Sequence, residues 1–174
     1  MSNNNFYHKL RNIKALLFDM DGVLTDGTVI VMPGDDLVRK MHTRDGSALA
    51  RAVKQGFQVG IISAGYSEQS IERFVRFGIQ HVHMNARPKL PVYTEILNKT
   101  GLKREEVLYM GDDIADMQCL HVSGIGVCPK DSCQDVFSVA DYVTEKPGGY
   151  GAVREVIEMV LRAQDKWELP DLNV

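Results

Sequence analysis

A doubly wound α/β domain is the architecture this chain predicts, and three observations predict it. Short apolar runs of strand character alternate with helix-length segments along most of the 174 residues. Those strands read as unbroken apolar runs, the mark of a parallel sheet covered by helices on both faces. Finally, two acidic clusters follow two of the strands directly: Asp19-Met20-Asp21-Gly22 and Gly111-Asp112-Asp113-Ile114-Ala115-Asp116. In an open α/β sheet ligands bind at the carboxyl ends of the strands, which is where both clusters fall.

Taken in order, the pattern predicts a strand over Ile13 to Asp19 and, after an insertion, a helix over Gly46 to Gln55. A strand over Phe57 to Ser63 follows, then a helix over Glu68 to Phe77 and a short strand at His81 to Met84. The series closes with a helix from Leu90 to Thr100, a strand at Val107 to Met110, a helix from Ile114 to His121, a strand over Gly124 to Val127 and a helix from Ala152 to Ala163. The insertion, Thr25 to His42, holds two short apolar runs about Pro33-Gly34-Asp35-Asp36 and reads as a β-hairpin flap beside the first acidic cluster. One domain over 1–174 is expected, with a core about 13–163, the flap about 27–42 and a tail about 164–174. Both ends, Met1 to Asn12 and the residues after 163, read as loose.

With 44% hydrophobic residues the chain has enough apolar material for one full core. Its 20 basic and 23 acidic residues give a net charge of −3, so neither nucleic acid nor an anionic membrane is an expected partner. No apolar run approaches a membrane span, and the polar start lacks a signal-peptide core. Cys119, Cys128 and Cys133 are odd in number without a zinc-type pairing, which predicts reduced thiols and a cytoplasmic protein.

Carboxylates crowded at two strand ends repel one another unless a cation lies among them. The residue types, all oxygen donors, select magnesium, with Asp19, Asp21 and Asp112 as candidate ligands. Asp19, last on its strand, is placed to attack phosphorus once a divalent ion cancels the repulsion between carboxylate and phosphate. Asp21 is placed to protonate the leaving group and later to deprotonate the hydrolytic water. Gly22 permits a tight turn whose amides face phosphate oxygens. Asp113 and Asp116 are left to hold the ion's waters or to orient a lysine. His81-x-His83 reads as a surface or core pair, and Gly148-Gly149-x-Gly151 as a mobile segment entering the last helix.

The strings Asp19-x-Asp21-Gly22-Val23-Leu24-Thr25-Asp26-Gly27 and Gly111-Asp112-Asp113-x-x-Asp116 resemble those of the haloacid dehalogenase (HAD) superfamily of phosphohydrolases. Arg44-Asp45-Gly46, Lys89-Leu90, Ala140-Asp141-Tyr142-Val143-Thr144 and Gly148-Gly149-x-Gly151-Ala152-Val153-Arg154-Glu155 resemble, within it, the capless 3-deoxy-D-manno-octulosonate 8-phosphate phosphatases of lipopolysaccharide biosynthesis. The resemblance runs from about Ile13 to Leu161. It implies a Rossmann-like core without a cap domain, a magnesium ion, an aspartyl-phosphate intermediate and a homotetramer. It further implies that Ser63 hydrogen-bonds the phosphoryl group and that Lys89 neutralises charge around Asp19. Too few residues separate Asp19 from Ser63, or Ser63 from Lys89, to hold a folded cap. In the resembling enzymes the hairpin and a neighbouring subunit's C-terminal tail shield the site, and Thr28 to Met41 with Pro147 to Gly151 correspond.

The resemblance makes Gly22, Arg44, Asp45, Gly46, Ala64, Gly65 and Arg73 the candidate residues for binding a small phosphorylated sugar. Three departures bear on which sugar. Ser63-Ala64-Gly65 stands where the pattern has Thr-Gly-Arg, an aromatic residue two places after Asp45 is missing, and an arginine near Ala50 comes one place later as Arg51. Another sugar-acid phosphate, such as a nine-carbon ulosonate 9-phosphate, is therefore an alternative substrate. A non-catalytic oligomerisation module of the same fold is a rival from a different class, and a signalling receiver domain a third. A receiver, however, has its phosphoacceptor on a later strand, whereas the D-x-D-G-V turn carries nucleophile and acid together.

Overall fold

The computed structural model describes residues 3–34, 37–169 and 171. Six parallel strands form one sheet in the order β5-β4-β1-β6-β7-β8. They are β1 (Ala15–Phe18), β4 (Gln58–Ile62), β5 (His81–His83), β6 (Val107–Met110), β7 (Ile125–Cys128) and β8 (Tyr142–Val143). Registers such as Phe18↔Ile61 and Phe18↔Met110 set β1 between β4 and β6. The chain leaves β1 toward β4 on one side, then crosses back to β6 on the other. A crevice opens at this reversal, above the ends of β1 and β6.

Alternation of side chains along each strand divides the core into two layers. Leu16, Phe18, Leu108 and Met110 face a cluster built with Leu10, Leu49, Phe74, Val153 and Ile157. These come from α1 (Asn3–Asn12), α2 (Thr43–Lys54), α3 (Glu68–Arg76) and α6 (Ala152–Ala163). Leu17, Val107 and Tyr109 face Tyr93, Ile96 and Leu120 in the opposite layer, from α4 (Lys89–Thr100) and α5 (Met117–Val122). Every residue of β1, β6 and β7 is buried, which is why these strands read as apolar without interruption. Gly60 of β4 is fixed by packing: a Cβ there would lie 2.7 Å from Leu17 Cδ2.

The insertion is a hairpin, as expected, but shorter. Only β2 (Ile30–Val31) and β3 (Leu37–Val38) pair, with Thr25 and Met41 bridged at its base. Asp35 and Asp36, expected in its turn, lie outside the described residues. Val29, Ile30, Val31, Met32, Leu37 and Val38 are all solvent-exposed on this arm. No separate cap domain occurs among the described residues. None of their helices is long and apolar enough to cross a membrane.

Three expectations need correction. Residues 3–12 form α1 rather than a loose start: Leu10 is fully buried and Phe6 stacks on Tyr142 at 5.5 Å. The spacing Phe6–Leu10 is helical, but two apolar residues in a polar decapeptide are a weak signal. The stretch just after α6 is also tied down at Trp167, which lies against Arg51, Arg154 and Arg162. The Gly-rich stretch before α6 packs on the turn of its own chain. Gly149 N donates to Val23 O at 2.9 Å, and a Cβ on Gly148 would collide with Gly22 O.

Candidate active site

Asp19 follows β1 and Asp112 lies just beyond β6, so the pairing of two neighbouring parallel strands brings their carboxylates together. Asp116 joins them from the turn after Asp112, and one oxygen from each of the three lies within 4.8 Å of the others. Gly22 makes the approach possible: its φ is 90°, and a Cβ there would stand 2.1 Å from Asp112 Oδ2. Gly111 does the same on the other side, where a Cβ would meet Asp116 Cγ at 2.3 Å.

Lys89 opens α4 and inserts its ammonium between Asp19 Oδ1 at 2.8 Å and Asp116 Oδ1 at 2.7 Å, with only 3% of its side chain exposed. Burial pulls its pKa down, but attraction to Asp19 and Asp116 outweighs this and holds the ammonium more firmly charged than an ordinary lysine. Asp116 also accepts from the Tyr109 hydroxyl at 2.6 Å and from the backbone N–H of Asp112 and Asp113 at 3.3 Å each. Its oxygens are thus spent on holding Lys89 and the turn. Asp113 is exposed and caps that turn instead of entering the cluster.

Asp19 and Asp112 carry the unbalanced charge. Burial, and then repulsion from Asp116, raise Asp19 to about 7; burial, and then repulsion from Asp19, raise Asp112 to about 8. Asp112 Oδ1 is buried without any hydrogen-bond partner. An orphaned carboxylate oxygen beside a second carboxylate is what a hard divalent cation satisfies, so this donor set fits magnesium.

Asp21 turns away from the three-carboxylate cluster. Its Oδ1 accepts from Arg39 Nε at 2.7 Å and its Oδ2 from Arg39 Nη2 at 3.0 Å, while Thr25 Oγ1 donates to Oδ1 at 3.3 Å. Arg39 comes from the end of the hairpin, far from Asp21 in sequence. Ser63, at the end of β4 and 1% exposed, accepts from Gly65 N at 3.1 Å. Ala64 and Gly65 form the bend beyond it, half-buried.

The remaining expected sugar contacts scatter. Asp45 is buried and accepts from Gly151 N at 3.1 Å and Arg154 N at 2.7 Å, so it caps α6 across the fold. Gly46 lets α2 approach α3, since a Cβ would lie 2.8 Å from Phe77 Cζ. Arg44 is exposed, and Arg73 sits over the Phe77 ring on the wall of a cleft beside the hairpin. Arg39, Tyr109 and Thr25 were not singled out in the sequence. Thr25 lies within the first acidic motif and Tyr109 is a lone hydroxyl in an apolar strand, so both left a faint signal there.

A model of the haloacid dehalogenase-like hydrolases matches residues 40–129. The 3-deoxy-D-manno-octulosonate 8-phosphate phosphatase KdsC of Escherichia coli K12 is 34% identical over 158 residues, 91% of this chain and 84% of that protein. Its counterpart in Yersinia pestis is 33% identical over 157 residues, 90% and 84% of the two chains. The crystal structure of such a phosphatase from Moraxella catarrhalis, in complex with magnesium, phosphate and KDO, matches with a TM-score of 0.91 at 32% identity, covering 95% of each chain. The cobalt-bound enzyme of Haemophilus influenzae matches with a TM-score of 0.87 at 30% identity, covering 91% of this chain and 92% of that one. A doubly wound sheet with a carboxylate cluster at its switch point, matched over this length, places the chain in the haloacid dehalogenase superfamily. It is a phosphatase of that type and falls in the capless subfamily.

Proposed function

We propose that this phosphatase hydrolyses 3-deoxy-D-manno-octulosonate 8-phosphate through an aspartyl-phosphate on Asp19. The observation that carries the mechanism is the buried Asp19–Lys89–Asp116 chain beside the unpartnered Oδ1 of Asp112. Asp19 and Asp112 would hold magnesium, which when bound neutralises charge between carboxylate and phosphate. Lys89 fixes Asp19 and offsets its charge, and Asp116 with Tyr109 fixes Lys89. A carboxylate oxygen of Asp19 bonds to phosphorus as the bond to the sugar oxygen breaks, and Asp21 delivers a proton to that oxygen. Water then bonds to the same phosphorus, Asp21 takes its proton, and Asp19 and inorganic phosphate are released. The Ser63 hydroxyl and the Gly22 turn are placed to hold phosphate oxygens.

The substrate assignment is supported by the names of the similar proteins over nearly the whole length of the chain. Assembly as a homotetramer is supported by the hairpin, six of whose apolar residues have no cover among the described residues. Phosphate release should be measured over octulosonate 8-phosphate, a nine-carbon ulosonate 9-phosphate and neutral sugar phosphates, with and without magnesium. A clear preference for the eight-carbon acid supports the assignment, and preference for the nine-carbon acid replaces it. Magnesium-independent release, or none at all, overturns the mechanism. Light scattering on the same preparation checks assembly, and a fully active monomer at micromolar concentration would defeat the tetramer.

A further inference from the structure

The hairpin contributes one cation to the site, and its placement points to the substrate's organic part. The Arg39 side chain is only 4% exposed although it lies on an exposed arm. Nε and Nη2 form a fork on Asp21, at 2.7 and 3.0 Å, while Nη1 donates to Leu37 O at 3.2 Å and Tyr66 O at 3.4 Å. The carbonyl contacts brace the guanidinium against both the hairpin and the bend after β4. The fork toward Asp21 is the part that faces the site.

Phosphorus must sit against Asp19, so Asp21 flanks the sugar oxygen and the sugar itself extends beyond Asp21, where Arg39 lies. Arg39 also lines a cleft of about 690 Å³ between the hairpin and the start of α3, with Val38, Ser67, Gln69 and Arg73 among its other walls. A Cβ on Gly65 would lie 3.1 Å from both Arg39 Nη2 and Asp21 Oδ2. The room left by the absence of a side chain at 65 is occupied by the guanidinium of Arg39.

We infer that Arg39 is the specificity-determining cation for an acidic sugar: its fork of donors passes from Asp21 to the substrate carboxylate, which also frees Asp21 to face the sugar oxygen. A planar guanidinium suits this exchange because carboxylates of protein and ligand present the same two-oxygen geometry. The inference rests on the phosphatase reading above, and it assigns to the hairpin a role in recognition as well as in covering the site.

The test compares kcat/KM for octulosonate 8-phosphate and for ribose 5-phosphate in the wild-type protein, Arg39→Gln and Arg39→Lys, with thermal melts to verify folding. The selectivity ratio, acid over neutral, should fall about tenfold to a hundredfold in Arg39→Gln, mostly through KM. Arg39→Lys, which keeps the charge and loses the fork, should fall in between. An unchanged ratio, with both substrates affected equally, would show that Arg39 only positions Asp21 and would overturn the inference. If the wild-type protein releases no phosphate, the phosphatase reading fails. Calorimetric binding of 3-deoxy-D-manno-octulosonate then still decides the role of Arg39, which requires that Arg39→Gln weaken it at least tenfold.

Discussion

Replacing Lys89 with Met removes the one cation shared by two buried carboxylates and keeps most of the side chain's volume. Each Nζ–carboxylate contact, at 2.7 and 2.8 Å, represents roughly 6 kcal/mol of attraction at an effective dielectric near 20. Much of that offsets the desolvation of three buried charges, so the net loss on truncation is set by the carboxylates left unpaired, about 3–5 kcal/mol. Asp19 softens the loss by taking up a proton, because its pKa is already raised to about 7. The destabilisation should therefore be larger at pH 8 than at pH 5. Urea unfolding in a chelator, at both pH values, gives the numbers provided the m-value is unchanged. Removing Asp116's charge as well, in Lys89→Met/Asp116→Asn, should recover part of the loss, because the second mutation deletes a repulsion that the first exposed. A loss below about 1 kcal/mol, or strict additivity of the two mutations, would show that these groups do not act as a unit.

Asp19→Asn should abolish turnover and leave the fold intact; residual activity above about a hundredth would refute covalent catalysis by this residue. Gly22→Ala should inactivate the protein and lower its melting temperature, since the new methyl group overlaps Asp112 and φ lies at 90°; unchanged activity would mean the turn can rearrange freely. Without metal, Asp19 and Asp112 have folded pKa values of about 7 and about 8 against an ordinary 3.8. Protons are then bound more tightly in the fold than in the unfolded chain, so stability falls as pH rises from about 4 to 8. Magnesium should restore more of it at pH 8 than at pH 5, and a flat melting temperature in chelator across that range would contradict the carboxylate pair.

Five of the six sheet strands and both acidic clusters were legible because each is a local pattern, an apolar run and the turn residues that follow it, whereas the two-residue β8 (Tyr142–Val143) was not. The pairing of Asp19 with Asp112 followed from adding one rule, that parallel neighbours present the same ends. What stayed hidden depends on contacts between distant segments. Asp45 reads as a site residue from its motif, yet its carboxylate serves the start of α6 through Gly151 and Arg154. Arg39 reads as one basic residue in an exposed strand, and only the fold of the hairpin over β1 brings it to Asp21. The helix at residues 3–12 was missed for a different reason, since burial of Leu10 against α6 stabilises a segment that its own sequence barely favours.

Charge counting around β1 and β6 explains why the site has this composition. Asp19, Asp112 and Asp116 face a single buried cation, Lys89, and Asp116 has in addition a tyrosine hydroxyl and two backbone amides. The deficit therefore falls on Asp19 and Asp112, whose pKa values are raised by burial and by repulsion from the neighbouring carboxylates, and Asp112 Oδ1 is left without a partner. Such a fold carries a standing preference for a divalent cation at that spot, independent of any substrate. Asp21 escapes the deficit because the hairpin gives it an arginine of its own. The same arm that exposes an apolar face thus holds the proposed proton donor, so a partner packed against the hairpin would also bear on where Asp21 points. Covering the site and placing its acid would then be one event rather than two.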